Sequence, residues 1–245
     1  MSTDPLFKDT DRVVLELSNI CNLAYCHKQC PASLVKPEER RVLPAQIARH
    51  VIETLGRFDY SGYITFYGYS EPLTDPRLQT LIEHAKAACP NSKPSVTTNG
   101  FMLTDEMLAD LTVAGLAYVR VSAYGKPEYD RLMKVKAKAK IPVSVRLMGG
   151  DKWRHRIEDY EAKKTGFKEP CFSPLIDIRV LVDGRVGLCC VDYKNLYTFG
   201  DLNKESFEDI MRSGRLQTLT EEHRAGIRTL DLCQRCGVAR KHGYI

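Results

Sequence analysis

The amino-acid sequence predicts an α/β protein: a parallel sheet, open or curled into a partial barrel, with a small hairpin-and-helix region after it. Three observations carry this expectation. Strand-like and helix-like segments alternate from Arg12 to Met148. The rhythm breaks in a charged stretch over residues 149–169, which holds the only tryptophan. Beyond it, a hairpin pattern with an Asp-Gly turn replaces the alternation. A chain of 245 residues suits a core region with a small appendage, and the break divides it into residues 1–150, 151–170 and 171–245.

Taken in order, Arg12 to Ser18 is strand-like and leads into a loop containing Cys21, Cys26 and Cys30. Pro44 to Phe58 reads as a helix, with Ile47, Val51, Ile52 and Leu55 at helical spacing and a proline in the first turn. Gly62 to Tyr67 is a strand. Asp75 to Cys89 is a helix opened by Asp-Pro, with Leu78, Leu81, Ile82 and Ala85 on one face. Ser95 to Thr98 is a short strand, Thr104 to Ala114 a capped helix, Ala117 to Ala123 a strand, Pro127 to Val135 a helix and Ile141 to Met148 a strand. Five strands and four helices before residue 150 are too few for a closed eight-fold barrel. Ligands of parallel α/β folds sit at the carboxyl ends of the strands, where the cysteine loop falls. After the break, Ile176 to Val182, Asp183-Gly184 and Arg185 to Cys189 form a hairpin, and Ser206 to Arg212 a short helix that Gly214 can end.

Composition narrows the function classes. No apolar run approaches the ~18 residues of a membrane span, and Met1 to Asp11 is polar and unlike a signal peptide. A cytoplasmic protein is expected. The net charge of +5 is modest, and the lysines from Lys134 to Lys140 lack aromatic interleaving, so they read as a solvated helix face and not as a nucleic-acid surface. Nine cysteines exceed ordinary packing needs, and without a secretion signal they point to metal. Three thiols in the first loop are too few for a closed zinc site and an odd number for disulfides. An iron–sulfur cubane held by three thiolates would leave one iron free. In the tail, Cys171, Cys189, Cys233 and Cys236 can close a site for zinc or for a second cluster. Cys89, ahead of Pro90, reads as a buried structural thiol.

The three-cysteine loop after the first strand, joined to the tail pattern Cys171, Gly184, Cys189, Cys233 and Cys236, resembles the radical S-adenosylmethionine (SAM) enzymes that carry a C-terminal twitch or SPASM-like domain. One departure stands out: the family's usual CxxxCxxC spacing is lengthened to four and three intervening residues here. The segment Gly68-Tyr69-Ser70-Glu71-Pro72-Leu73 is similar to the family's GGEPL segment, and Thr97-Thr98-Asn99-Gly100 to its TNG segment.

The resemblance implies a partial barrel of about five to six parallel strands, two 4Fe-4S clusters and SAM. Cys21, Cys26 and Cys30 would hold the first cluster, and Cys171, Cys189, Cys233 and Cys236 the second. SAM would be held by Gly68, Tyr69, Ser70 and Glu71 at its amino group, by Thr98 and Asn99 near its ribose, and by Ser122 at its carboxylate. The family's aromatic residue before the third cysteine is replaced by Gln29, so Tyr25 or His27 is the candidate to stack on adenine.

Family members of this size oxidise or epimerise carbinol carbons of aminocyclitols and aminosugars in antibiotic biosynthesis, with an electron donor such as flavodoxin. Arg154 in the connecting segment and Tyr69 are then the candidate substrate-facing residues. Arg154 would orient the substrate and stabilise developing negative charge, since its high pKa makes it a poor base. Cys190 could donate a hydrogen in an epimerase. Its neighbour Val191, together with Val14, stands where such relatives carry acids, so a polar small molecule with fewer ammonium groups is expected. Ribosomal-peptide modification is the other enzymatic reading and a zinc-stabilised binding module the non-enzymatic one. The absence of an N-terminal leader-recognition region counts against the first, and the Glu71 and Asn99 segments against the second.

Overall fold

The sheet grows outward from β1 (Arg12–Leu15) in a computed structural model that describes residues 6–26, 30–148 and 170–236. Helix α1 (Ala45–Arg57) buries Ile47, Ala48, Val51, Ile52 and Leu55, the stripe set by their spacing, and returns the chain to β2 (Tyr63–Phe66). The unit repeats through α2 (Leu78–Ala88), β3 (Lys93–Thr98), α3 (Asp105–Val113), β4 (Tyr118–Ala123), α4 (Lys126–Lys138) and β5 (Val143–Leu147). The strands stand in the order β5-β4-β3-β2-β1, and all pair in parallel. Every crossover steps the same way, so a constant hand sets the helices on one face, as in a barrel wall.

Several boundaries differ from the sequence expectation: β1 ends at Leu15 and not Ser18, β3 begins at Lys93 and not Ser95, and two helices shift further. α2 begins at Leu78 because Asp75 Oδ1 accepts the Arg77 backbone N–H at 2.9 Å and closes a turn before the helix. α4 runs past Val135 to Lys138, since Lys and Ala are good helix formers. Lys134, Lys136 and Lys138 are exposed, as expected of a solvated face.

A single turn, α5 (Ser173–Ile176), leads into β6 (Asp177–Val180), which makes the expected antiparallel hairpin with β7 (Arg185–Gly187). Gly184 has φ +86° in that turn, a conformation that favours glycine. β6 also pairs in parallel with β1, Arg12 facing Asp177, and becomes the sixth parallel strand of the wall. The side chains of this pair form a buried bidentate ion pair, with Arg12 Nε to Asp177 Oδ1 at 2.7 Å and Nη2 to Oδ2 at 2.8 Å. The strand β8 (Thr198–Asp201) completes an eight-stranded sheet.

Helix α6 (Phe207–Arg212) is capped by Ser206 Oγ, which accepts the Asp209 N–H at 3.1 Å. Its Phe207 packs on Phe7 with ring centroids 5.8 Å apart, and its first N–H is donated to His50 Nε2 of α1 at 3.1 Å. α7 (Arg215–Arg224) and α8 (Asp231–Arg235) follow. Among the described residues, no helix is long and apolar enough to cross a membrane.

The two faces of the wall differ in chemistry. Val13, Leu15, Ile64, Phe66, Val96, Val119, Val121, Val143, Ile178 and Val180 join the apolar core under the helices. Strand side chains alternate, so the other face carries the polar set. There the charged residues are Arg12, Lys93, Arg120, Arg146 and Arg179 against Glu16 and Asp177.

Candidate active site

The carboxyl ends of β1 to β6 surround a cavity of 780 Å³. Its rim is built from the turn after each strand. The cysteine loop follows β1, Tyr67 to Glu71 follows β2, Thr97 to Asn99 ends β3, Ser122 ends β4, Met148 follows β5, and Arg179 comes from β6.

Cys21, Cys26 and Cys30 all line this cavity. Burial pushes the Cys21 thiol up to about 11, and nearby Glu71 and Cys30 add to the rise against opposing hydrogen bonds. Such a thiol becomes a thiolate when a cation takes its proton's place. Three thiols around an open cavity suit a cluster with one accessible iron. Among the described residues no three His, Cys, Asp or Glu side chains converge as they would on a single metal ion. His27 lies outside the described residues. Tyr25 does not line the cavity: it is 76% exposed, and its hydroxyl accepts from Arg40 Nη2 at 3.2 Å. The expected adenine platform is therefore not supplied by Tyr25 in this structure, while the aromatic residues Phe101 and Tyr124 line the cavity.

Gly68, Tyr69, Ser70, Glu71, Thr98, Asn99 and Ser122 all line the cavity. Gly68 permits a close approach, since a Cβ there would stand 2.3 Å from Glu16 Oε1. Glu71 is 1% exposed and accepts from Thr98 Oγ1 at 2.6 Å, the Asn99 N–H at 2.7 Å and the Leu73 N–H at 3.0 Å. Burial raises its pKa, and these hydrogen bonds oppose the rise. Asn99 Nδ2 donates to Asn22 Oδ1 at 2.7 Å, tying the β3 end to the cysteine loop. Arg146 stands beside Ser122 in register across β4 and β5.

The other four cysteines, Cys171, Cys189, Cys233 and Cys236, surround a second, small cavity with Leu188, Val191, Leu232, His223 and Arg228. Burial pushes the Cys233 thiol up to about 12, and it raises Cys189 as well. His223 is 1% exposed, and among the described residues neither ring nitrogen has a hydrogen-bond partner. Burial first, and then the Arg228 charge, lower its pKa to about 4, so the ring is neutral and keeps one N–H donor. Buried polar atoms of native proteins rarely lack partners. The sulfur atoms of an iron–sulfur cluster would accept that donor, and the four thiols supply the ligands such a cluster takes.

Consecutive residues join the two cavities. Cys189 lines the small one and Cys190 the large one. The Tyr69 hydroxyl donates to the Cys190 carbonyl oxygen and fixes the turn after β7 to the loop after β2. Arg154 lies outside the described residues. Tyr67 and Arg179 also line the large cavity, and neither was singled out from the sequence.

The family described as SPASM, an iron–sulfur cluster-binding domain, matches residues 171–237. The S-adenosyl-L-methionine-dependent 2-deoxy-scyllo-inosamine dehydrogenase of Niallia circulans is 25% identical over 234 residues, 91% of each chain. Among solved structures, BtrN in complex with AdoMet and 2-DOIA superposes with a TM-score of 0.76 at 22% identity, over 94% of this chain and 93% of that one. Native anSMEcpe with bound AdoMet gives a TM-score of 0.60 at 11% identity, over 92% of this chain and 86% of that one. Both likenesses are of fold, and they span the parallel wall and the C-terminal region together. Residues 171–237 thus match a SPASM iron–sulfur cluster-binding domain, on a chain that resembles an S-adenosyl-L-methionine-dependent dehydrogenase in sequence and BtrN and anSMEcpe in fold.

Proposed function

We propose that the chain oxidises a hydroxyl-bearing carbon of a polar cyclitol or sugar-like molecule in natural-product biosynthesis. Two 4Fe-4S clusters serve it, one on Cys21, Cys26 and Cys30 and one on Cys171, Cys189, Cys233 and Cys236. The observation that carries this reading is the pair Cys189–Cys190. Cys189 lines the four-cysteine cavity while Cys190 lines the large chamber bordered by the other three cysteines. A substrate in that chamber lies between the two cysteine sets. Similarity to an aminocyclitol dehydrogenase supports the same chemistry.

Taking a carbinol to a ketone removes one hydrogen atom, one proton and one electron, and SAM with the two clusters supplies the abstracting radical and the electron acceptor when bound. The chain's own residues bind and orient. Glu71 offers a buried carboxylate to the SAM ammonium, and Gly68, whose missing side chain leaves room for Glu16, presents backbone to the same cavity. Asn99 and Thr98 hold the ribose side, and Ser122 the carboxylate side. Tyr69, fixed to the Cys190 carbonyl, sets the spacing between the SAM end and the second cluster. Arg154 orients the substrate hydroxyl and stabilises the charge that develops as its proton leaves.

The test is SAM cleavage by anaerobically reconstituted protein with dithionite or flavodoxin as reductant. 5'-deoxyadenosine forms in wild type and is lost in Cys21→Ala, and a cyclitol substrate yields a ketone. Absence of SAM cleavage by iron-loaded wild type would overturn the reading. In Cys190→Ala the ketone still forms, whereas an epimerase using that thiol as hydrogen donor would lose its product.

A further inference from the structure

Arg179 is a cation built into the chamber wall, on the strand that carries the hairpin to the four-cysteine region. It stands on the polar face of β6, 3% exposed, in register with Val14 of β1. Its guanidinium crosses the sheet to lie 5.2 Å from the Tyr67 ring centroid, and Nη1 donates to Tyr67 Oη at 3.1 Å. Among the described residues that is its hydrogen bond and its ring contact. No carboxylate of a described residue is in ion-pair contact with it. Glu16 acts on it only through space. That carboxylate is itself fully buried, burial raises its pKa, and its Oε1 accepts the Tyr69 N–H at 2.8 Å.

A guanidinium presents five N–H donors in a planar fork that matches carboxylate and phosphate oxygens, and a buried one is costly to leave without an anion. The acids at the chamber offer little to a cationic substrate. Glu71, which also accepts from Thr98, Asn99 and Leu73, is taken by the SAM ammonium in the proposed arrangement, and Glu128 accepts from Arg131 Nε at 3.1 Å. The SAM carboxylate does not account for Arg179 either. Ser122 is on β4, and β3, β2 and β1 stand between it and β6. Arg179 instead neighbours Tyr69 and Cys190, at the end of the chamber that faces the second cysteine set.

We propose that Arg179 is the specificity-determining residue for an anionic group, a carboxylate or a phosphate monoester, on the substrate. This rests on the reading of the cavity as the substrate chamber. It departs from the aminocyclitol of the relative: the chain would take an acidic or phosphorylated sugar-like alcohol.

The test is binding to reconstituted full-length protein at saturating SAM, by calorimetry under anaerobic conditions. Four probes share one ring: glucosamine, glucose, glucuronate and glucose 6-phosphate. Glucuronate or glucose 6-phosphate is expected to bind at least about tenfold tighter than the other two, as one charge-assisted contact provides. Whichever of the two leads identifies the anion. Arg179→Met should abolish the preference and leave SAM affinity unchanged, and Arg179→Lys should keep part of it. Equal or undetectable binding of all four probes, tighter binding of glucosamine, an anion preference that survives Arg179→Met, or anions that bind only by displacing SAM would each overturn it. The wild-type ranking decides the matter even where a variant fails to fold. SAM cleavage, measured separately on the same protein, reports whether the radical reading itself stands.

Discussion

His223 is a residue whose burial makes sense only with something beside it. A neutral imidazole at 1% exposure, with neither nitrogen partnered among the described residues, faces the four-thiol cavity. Its N–H is suited to a cluster or thiolate sulfur, and hydrogen bonds to sulfur raise an iron–sulfur reduction potential. His223→Leu should therefore lower the midpoint potential of the second cluster. Spectroscopic redox titration of a Cys21→Ala, Cys26→Ala, Cys30→Ala background isolates that cluster. An unchanged midpoint would show that the imidazole only fills space. The residue was invisible in the sequence because a histidine in a charged helix gives no sign of its burial. Arg179 was missed for a related reason. The alternation Asp177, Ile178, Arg179, Val180 marks two faces of a strand, but says nothing of the Tyr67 ring it reaches two strands away.

Among the elements, β6 matters most to how the site is assembled. It is a wall strand and a hairpin strand at once, so it carries the four-cysteine region on the same sheet as the strand that leads into the three-cysteine loop. The Arg12–Asp177 pair holds it to β1 in a buried setting. Asp177→Asn removes the buried carboxylate from the Arg12 guanidinium and should cost about 3–5 kcal/mol, measured by urea unfolding of the cluster-free protein. A loss below about 1 kcal/mol would mean that water or another partner replaces the carboxylate. Most helices and strands of the wall were legible from the sequence, because each buries a stripe at its own period. The second pairing of β6 was not, since a four-residue strand encodes its faces but not its neighbours. β8 and α7 were missed as well. α7 is a strongly polar helix that buries only Leu216, Leu219, Thr220 and His223, and β8 is a short strand with a glycine in it.

For the molecule as a whole, two cysteine sets far apart in sequence line two cavities that the consecutive residues Cys189 and Cys190 join, and the cysteine pattern alone offered all seven ligand candidates. What the pattern could not give was the depth of the chamber, its basic inner face or the Cys189–Cys190 divide between the two cavities. The central claim is that each set holds its own iron–sulfur cluster. The most direct measurement is iron and sulfide per chain, with absorption near ~400 nm, in anaerobically reconstituted wild type and in the Cys21→Ala, Cys26→Ala, Cys30→Ala variant. The expected result is about eight irons with matching sulfide in wild type, falling to about four in the variant with the brown colour retained. Zinc without sulfide or colour, or an iron content unmoved by the triple substitution, would contradict it.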